Sequence, residues 1–346
     1  MAPYLGGMYG NPSSLHRLGR MARSAIDSAR GQVAELVDCL PEQVVFTSGG
    51  TEANALALHN AGERAFISAI EHPSVTENAM ARAGVLHTLP VDAQGVLDFD
   101  VLPRAGINAG DFVSVMLANN ETGAIQDIAR LAEVTSARGA VLHTDAVQAA
   151  GKIPLSFRAL GVQLMTLSSH KIYGPKGAGA LISDWPSLRA LQRGGDQERC
   201  LRAGTENVAA IVGFGCAAEL ARNELAARAK HLMALRLRLE AQLRLLPGLR
   251  IFAEETPRLP NTVQFGVGGF RGDMLLMQFD REGVAVSSGS ACSAESREIS
   301  PVLSAMRTPP ELAQAAIRVS LGKDSAPEEV DRFVAVLRRL LGMAPA

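Results

Sequence analysis

Short apolar runs alternate with helix-periodic stretches along the first half of the chain, and this rhythm restricts the fold more than any other feature. Runs at 44–47, 65–70, 112–117, 140–144, 164–167 and 178–182 are interleaved with helical patterns at 52–60 and 128–138. Strands separated by helices read as crossover units, which place strands side by side in parallel and cover the sheet. Ahead of them Leu15, Leu18, Ala22, Ile26, Ala29 and Val33 recur every three or four residues, one face of a helix over 13–37. The expected class is α/β: a large domain with a mostly parallel central sheet covered by helices.

The second half reads differently. An Ala/Leu/Arg-rich stretch over 206–246 is helical by composition, ends at Pro247-Gly248, and is expected to link two domains. A strand at 262–265, a helix at 274–281, a Gly/Ser-rich loop at 287–294, a strand at 316–321 and a helix at 327–341 follow, which suggests a smaller α+β domain. A chain of 346 residues has room for both, at roughly 150 residues per domain.

Charge excludes several functions. Lys+Arg 34 against Asp+Glu 35 leaves a formal charge of −1, so no global field recruits nucleic acid or anionic lipid, and a small neutral partner is favoured. No apolar run approaches the roughly 20 residues of a membrane span. Residues 1–7 lack the basic and apolar regions of a secretion signal, so the cytoplasm is the expected location. Cys39, Cys200, Cys216 and Cys292 stand far apart with no C-x-x-C pair, so no metal knuckle is expected and most should be reduced thiols. Cys39 and Cys216 fall in apolar helical surroundings and read as packing residues. Cys200 lies in a polar stretch. Cys292 sits among Ser287, Ser288, Gly289, Ser290 and Ser293, a loop composition that leaves a thiol accessible.

Three strand ends carry candidate chemistry. Val44-Val45-Phe46-Thr47-Ser48-Gly49-Gly50-Thr51-Glu52 runs from a strand through a glycine turn into a helix, a geometry that aims free amides at an anion. Alone, such a segment is more often just a turn and a helix cap. It lacks the Gly-Lys-Ser/Thr of a nucleotide loop, and Gly213-Phe214-Gly215 sits inside a helical stretch, not in a dinucleotide fingerprint. Asp145 ends the run Leu142-His143-Thr144-Asp145, and Lys171 follows the run ending Leu167-Ser168-Ser169-His170. Ligands collect at the carboxyl ends of such strands. A carboxylate on one and a lysine on the next suit pyridoxal phosphate, where lysine forms the imine and aspartate keeps the pyridine nitrogen protonated. Either residue alone would more often be a surface lysine or a turn aspartate.

The conjunction resembles a known family. Ser168-Ser169-His170-Lys171-Ile172-Tyr173-Gly174-Pro175-Lys176-Gly177 and Ser287-Ser288-Gly289-Ser290-Ala291-Cys292 look like the motifs of cysteine desulfurases, class V aminotransferase-like enzymes of fold-type I. Matching stretches run from Gly10-Asn11-Pro12 to Arg318-Val319-Ser320-Leu321-Gly322, nearly the whole chain. The resemblance implies a large cofactor domain at 12–225 and a small domain at 226–346 that includes 1–11 and carries the cysteine loop. It implies Lys171 as the imine-forming lysine, Asp145 at the pyridine nitrogen, Gln148 near the phenolic oxygen and His72 stacked on the ring. Thr51, Ser168 and His170 would bind the phosphate, helped by the amide of Gly50. Thr205 would reach the phosphate of the other subunit of a homodimer. Asn120 would contact substrate or the cofactor edge. Alone, a residue such as His72 or Asn120 is more often a satisfied polar side chain beside a strand end, and Thr205 could merely cap the long helix. Arg318 has its own rationale, because a guanidinium fork matches an amino-acid carboxylate; an ion pair on a strand face is the alternative.

The implied reaction converts L-cysteine to L-alanine and leaves sulfur as a persulfide on Cys292, for delivery to an accepting protein in iron–sulfur or other thio-cofactor assembly. The family usually begins with a further strand and an Ala-Thr-Thr-Pro-like turn, whereas Gly10-Asn11-Pro12 here follows only nine residues. A short amino terminus should remove strand pairing and expose backbone groups. Two alternatives follow: a weakly active cofactor-binding partner subunit, and a selenocysteine lyase that uses the same cofactor.

Overall fold

The computed structural model describes residues 1–288 and 299–343, in two compact units. The first comprises Met1–Leu89, Asp100–Leu117 and Asp127–Leu225, and the second Pro90–Phe99, Ala118–Gln126 and Ala226–Ala346.

In the first unit the strands are β1 (Val44–Thr47), β2 (Arg64–Ser68), β3 (Val85–Leu89), β4 (Phe112–Ser114), β5 (Val141–Asp145), β6 (Leu164–Ser168) and β7 (Gly179–Ser183). They form one sheet in the order β1-β7-β6-β5-β4-β2-β3. Neighbours from β6 to β3 pair in parallel, while β7 is antiparallel to both β6 and β1. Two reversals restore the direction, so every strand but β7 ends on the same edge. β1 and β6 are buried along their whole length, as apolar strands covered on both faces must be.

The helices of this unit are α1 (Ala2–Leu5), α2 (Arg17–Leu36), α3 (Gly50–His59), α4 (Pro73–Ala81), α5 (Ile128–Ser136), α6 (Phe157–Leu160) and α7 (Val208–Asn223). α2 buries Ala22, Ile26, Ala29 and Val33 of the expected stripe, whereas Leu15 lies before the helix and Leu18, in its first turn, is exposed like it. It lies so near α7 that a Cβ on Gly215 would come within 2.7 Å of Ala29 Cβ. On the inner side of α2, Arg30 and Glu198 form a buried fork at 2.6 and 2.8 Å, and Glu198 also accepts the amide of Phe46.

The second unit holds a sheet ordered β10-β11-β9-β8, with β8 (Leu249–Ile251), β9 (Thr262–Val267), β10 (Ser287–Ser288) and β11 (Ala316–Ser320), all antiparallel. Its helices are α8 (Leu225–Leu243), α9 (Gly272–Arg281), α10 (Pro301–Ala305), α11 (Pro310–Gln314) and α12 (Pro327–Leu340). Leu239, Phe265, Phe279, Ile317 and Phe333 centre its core, with Phe279 and Phe333 stacked at 4.9 Å. No helix among the described residues is long and apolar enough to cross a membrane.

Several expectations change. The helical stretch over 206–246 is two helices with a break at Glu224, because α7 buries Phe214, Ala218 and Ala221 in one unit whereas Leu232, Leu235 and Leu239 of α8 fill the core of the other. Ser287 and Ser288, read as loop, form β10 opposite Arg318 and Ile317. Residues 1–11 belong to the first unit, where Met1 Sδ stands 2.7 Å from the place a Cβ on Gly213 would take. Residues 90–99 and 118–126 belong to the second: Gln126 binds both the amide of Leu97 and the carbonyl of Gly95 at 2.8 Å, and Ile125 pairs with Pro257. Such non-local hydrogen bonds leave no periodic mark in the sequence.

Candidate active site

Asp145 closes β5, Ser168 closes β6, and a 3-10 turn at Ser169–Ile172 carries Lys171 away from the sheet edge. Tyr173 ends that turn at φ 69, and Lys171 is exposed. β2 ends at Ser68, and His72 caps α4 a few residues later, its side chain accepting from the amide of Ser74.

Asp145 is buried yet well supplied with donors. Its Oδ1 accepts from the Val147 amide at 2.9 Å and its Oδ2 from Asn54 Nδ2 at 2.8 Å. Burial raises its carboxyl above the ordinary value, against these donors and the charges of His72 and Lys171. Burial pushes His72 below the usual imidazole range; Asp145 opposes this and Lys171 adds to it. His72, Asp145 and Lys171 thus face one another electrostatically, as the cofactor reading requires. Glu71 lies behind them. It accepts from the Met116 amide at 2.7 Å and from the Ser68 hydroxyl, and burial, reinforced by Asp145, pushes its carboxyl up to about 8.

α3 begins at Gly50 with no side chain capping its first amides. A Cβ on Gly50 would lie 3.0 Å from Val147 Cγ2 and 3.5 Å from Ser168 Cβ, so glycine lets the start of α3 pack closely against the ends of β5 and β6. Thr51 is exposed there, and the Ser168 hydroxyl bonds His170 Nδ1 at 3.0 Å. Gln148 Oε1 accepts from Lys152 Nζ at 2.9 Å. Thr205 lies elsewhere in this unit, exposed at a cavity of about 170 Å³ with Ser48, Gly177, Arg202 and Glu206. It does not cap α7; Asn207 does, accepting from the Ala210 amide at 3.2 Å.

The second unit holds the other two candidates. Arg318, in the middle of β11, donates to the carbonyl of Asn120 at 2.9 Å and to Ser287 Oγ at 3.2 Å. Asn119 shapes the turn, its Oδ1 accepting from the amides of Glu121 and Thr122 at 2.9 and 3.0 Å, and Gly123 completes it at φ +79. Glu121 is buried and accepts from Ser300 Oγ at 2.6 Å and Gln264 Nε2 at 3.2 Å. Burial raises its carboxyl, with Arg318 acting the other way.

Cys292 lies outside the described residues. Cys39 is half-buried, and burial with Asp38 and Glu42 pushes its thiol up to about 12, which makes it a poor nucleophile. Cys216, expected to be a packing residue, is exposed: an apolar helix still has an outer face, and residue 216 is on it. Cys200 is exposed as well. Among the described residues no group of three or more His, Cys, Asp or Glu could hold a metal ion.

Asn54, Ser74, Glu71 and Glu121 were not legible as site residues. Asn54 had one signal: it is a polar side chain on the face of α3 that buries Ala53, Leu56 and Ala57, and such a group needs a partner.

Pyridoxal phosphate asks for an acid beside its ring nitrogen, an amine for its aldehyde and donors for its phosphate. Asp145, Lys171 and the group formed by Thr51, Ser168, His170 and the uncapped amides of α3 have that chemistry.

Comparison with known proteins agrees. Residues 1–333 match the aminotransferase class-V family. A cysteine desulfurase IscS of Dictyoglomus turgidum is 41% identical over 99% of this chain and 90% of its own length. A cysteine desulfurase of Sinorhizobium fredii is 41% identical over 97% of this chain and 90% of its own. A solved NifS-like protein of Rickettsia africae superposes with a TM-score of 0.89 at 33% identity, covering 96% of this chain and 92% of that one.

Proposed function

The chain belongs to the aminotransferase class-V family and is a pyridoxal-phosphate-dependent cysteine desulfurase, and we propose that Lys171, Asp145 and His72 carry its chemistry, that Arg318 and Asn120 hold L-cysteine, and that Cys292 accepts the sulfur. The supporting observation is the grouping of His72 and Lys171 around the buried carboxylate of Asp145 at the carboxyl edge of the sheet.

When bound, the cofactor supplies a conjugated ring that takes up the electron pair released at the amino-acid Cα. The residues do the rest. Asp145 would hold a proton on the ring nitrogen, a positive partner that would offset the cost of burying its carboxylate. Thr51, Ser168, His170 and the Gly50 amide would hold the phosphate, and Gln148 would serve the phenolic oxygen. Lys171 Nζ, on an exposed side chain, removes the Cα proton. His72 would stack on the ring and pass a proton to the departing product. Arg318 pairs with the substrate carboxylate through its fork. The Cys292 thiolate attacks the cysteine sulfur: the Cβ–S bond breaks, an S–S bond forms, and a proton replaces sulfur on the carbon that leaves as L-alanine. One cysteine and one thiol become one alanine and one persulfide.

The same reading extends to assembly. Thr205 reaches the cofactor phosphate of a second subunit, so the working form is a homodimer; its position in an open cavity of the first unit is consistent with this. The protein works in the cytoplasm and hands sulfur to an accepting protein of iron–sulfur or other thio-cofactor assembly. The deciding experiment is a cysteine pulse followed by mass spectrometry. One added sulfur should appear on the peptide holding Cys292 with alanine in equal amount, and label on Cys200 would reassign the nucleophile. Light scattering tests the dimer, and a monomer with normal cofactor affinity would reject it.

A further inference from the structure

Four side chains of the first unit form one hydrogen-bonded series of which the proposed chemistry uses only the ends. Asn54 Nδ2 donates to Asp145 Oδ2 at 2.8 Å and to Ser74 Oγ at 2.9 Å, and Ser74 Oγ lies 2.7 Å from His72 Nδ1. An amide nitrogen has two hydrogens and accepts nothing, so both Asn54 contacts are donations. Turning the amide over would place its oxygen against the Asp145 carboxylate, so chemistry fixes its orientation. With Ser74 Oγ accepting from Asn54, its single proton is left for His72. The Ser74 amide donates to the same nitrogen at 3.1 Å. Two donors on Nδ1 require that it carry the lone pair and that Nε2 carry the proton. Asn54 and Ser74 are 1% and 7% exposed, so water competes little for these bonds.

We propose that Asn54 and Ser74 are positioning residues that hold His72 as the Nε2–H tautomer and join it to the Asp145 carboxylate as one rigid acid–base unit. The inference rests on the roles proposed for His72 and Asp145, because only then does their coupling matter to the reaction. Protonating Nδ1 would set an N–H against the Ser74 amide and turn its hydroxyl away, so the series resists the imidazolium form. Asp145 and Lys171 are the charged groups that act on this imidazole, and they act in opposite directions.

The test reads the imidazole directly. The full-length protein is labelled with 15N-histidine, the His72 signal is assigned among seven histidines with His72→Gln, and spectra are taken across neutral pH with and without pyridoxal phosphate. In the unsubstituted protein Nδ1 should resonate as an acceptor and Nε2 as protonated, in both forms. Ser74→Ala removes the hydroxyl donor to the neutral ring, so the His72 titration midpoint should rise by about half a pH unit or more. Ser74→Thr should restore it. Asn54→Ala, which does not touch His72, should move the Nδ1 resonance toward that of Ser74→Ala and add nothing in the double variant; Asn54→Ser, too short to span both contacts, serves if alanine unfolds the chain. An Nδ1–H tautomer in the unsubstituted protein, an unmoved midpoint in Ser74→Ala, or a silent Asn54 variant overturns the proposal. If the catalytic assignment alone is at fault, His72→Gln turns over normally while the resonances of the unsubstituted protein are as expected.

Discussion

Arg318 Nη1 donates to the backbone carbonyl of Asn120 at 2.9 Å, tying the middle of β11 to the turn at 119–123. The same guanidinium reaches Ser287 Oγ, and the neighbouring Glu121 holds Ser300. The chain on both sides of the segment that contains Cys292 is therefore hydrogen-bonded to this one cluster in the second unit. The arginine proposed to bind substrate is itself fixed by a carbonyl and a hydroxyl, which limits the entropy lost when it takes a carboxylate.

Replacing Arg318 with alanine should act mainly on binding. A charge-assisted bidentate contact corresponds to about 10- to 100-fold in the Michaelis constant, with a smaller change in kcat. Arg318→Lys should recover part of it, since the charge returns without the fork. Steady-state alanine release separates the two constants, and a loss confined to kcat would remove Arg318 from substrate binding.

Lys171→Ala should abolish the borohydride-reducible attachment of the cofactor and lower turnover by about 10²- to 10⁴-fold. Asp145→Ala should bind the cofactor more weakly and lose more turnover than affinity, because the ring nitrogen then lacks its anionic partner. Absorbance and mass after borohydride report the first; cofactor titration beside kcat reports the second. A covalent cofactor retained in Lys171→Ala would refute the assignment.

Cys292→Ser should keep the cofactor and substrate binding yet release little alanine and carry no persulfide. Cys39→Ser should change nothing in this assay, since its thiol is pushed up to about 12 and stays protonated at neutral pH. Persulfide labelling after a cysteine pulse compares the two variants, and normal turnover by Cys292→Ser would send the search to Cys200.

Glu71 should make stability depend on pH. Its folded value of about 8 lies above the ordinary 4.5, so between these limits the folded chain keeps a proton that the unfolded chain releases. Its contribution is therefore full below the unfolded value and is lost as pH rises toward the folded one. Glu71→Gln, isosteric with the protonated acid, should flatten the slope; denaturant midpoints at about pH 5 and about pH 8.5 would show it. An unchanged slope would mean that Glu71 is ionised in the fold.

Glu198→Ala should destabilise the protein by about 3–5 kcal/mol, because it leaves Arg30 buried without its partner and frees the Phe46 amide. Equilibrium denaturation measures this, and a change below about 1 kcal/mol would show that water reaches Arg30 in the variant.

Fold class, Asp145 and Lys171 were legible because their signals are local, whereas His72, Asn120, Gln148, Thr51, Ser168, His170 and Thr205 were read from the resemblance of long motifs. Strand β1 at Val44–Thr47 follows from four adjacent apolar or β-branched residues, α2 from a stripe repeating every three or four positions, and Asp145 and Lys171 from standing at or just beyond strand ends. Cys216 marks the limit of that reasoning, since composition identifies a helix but not which of its faces a neighbour covers.

The sequence by itself determined the strand–helix order, the residue types at the strand ends and the absence of a strong charge field, all properties of short windows or of the whole composition. Only the tertiary structure decided that Asn54 meets Asp145 across 91 residues, that Arg318 meets Asn120 across 198, and that 90–99 and 118–126 leave the first unit for the second. Each depends on which faces pack together. A periodic pattern specifies the buried side of an element, but its partner is chosen by the combined burial and hydrogen bonding of all elements at once, which no short stretch of sequence encodes.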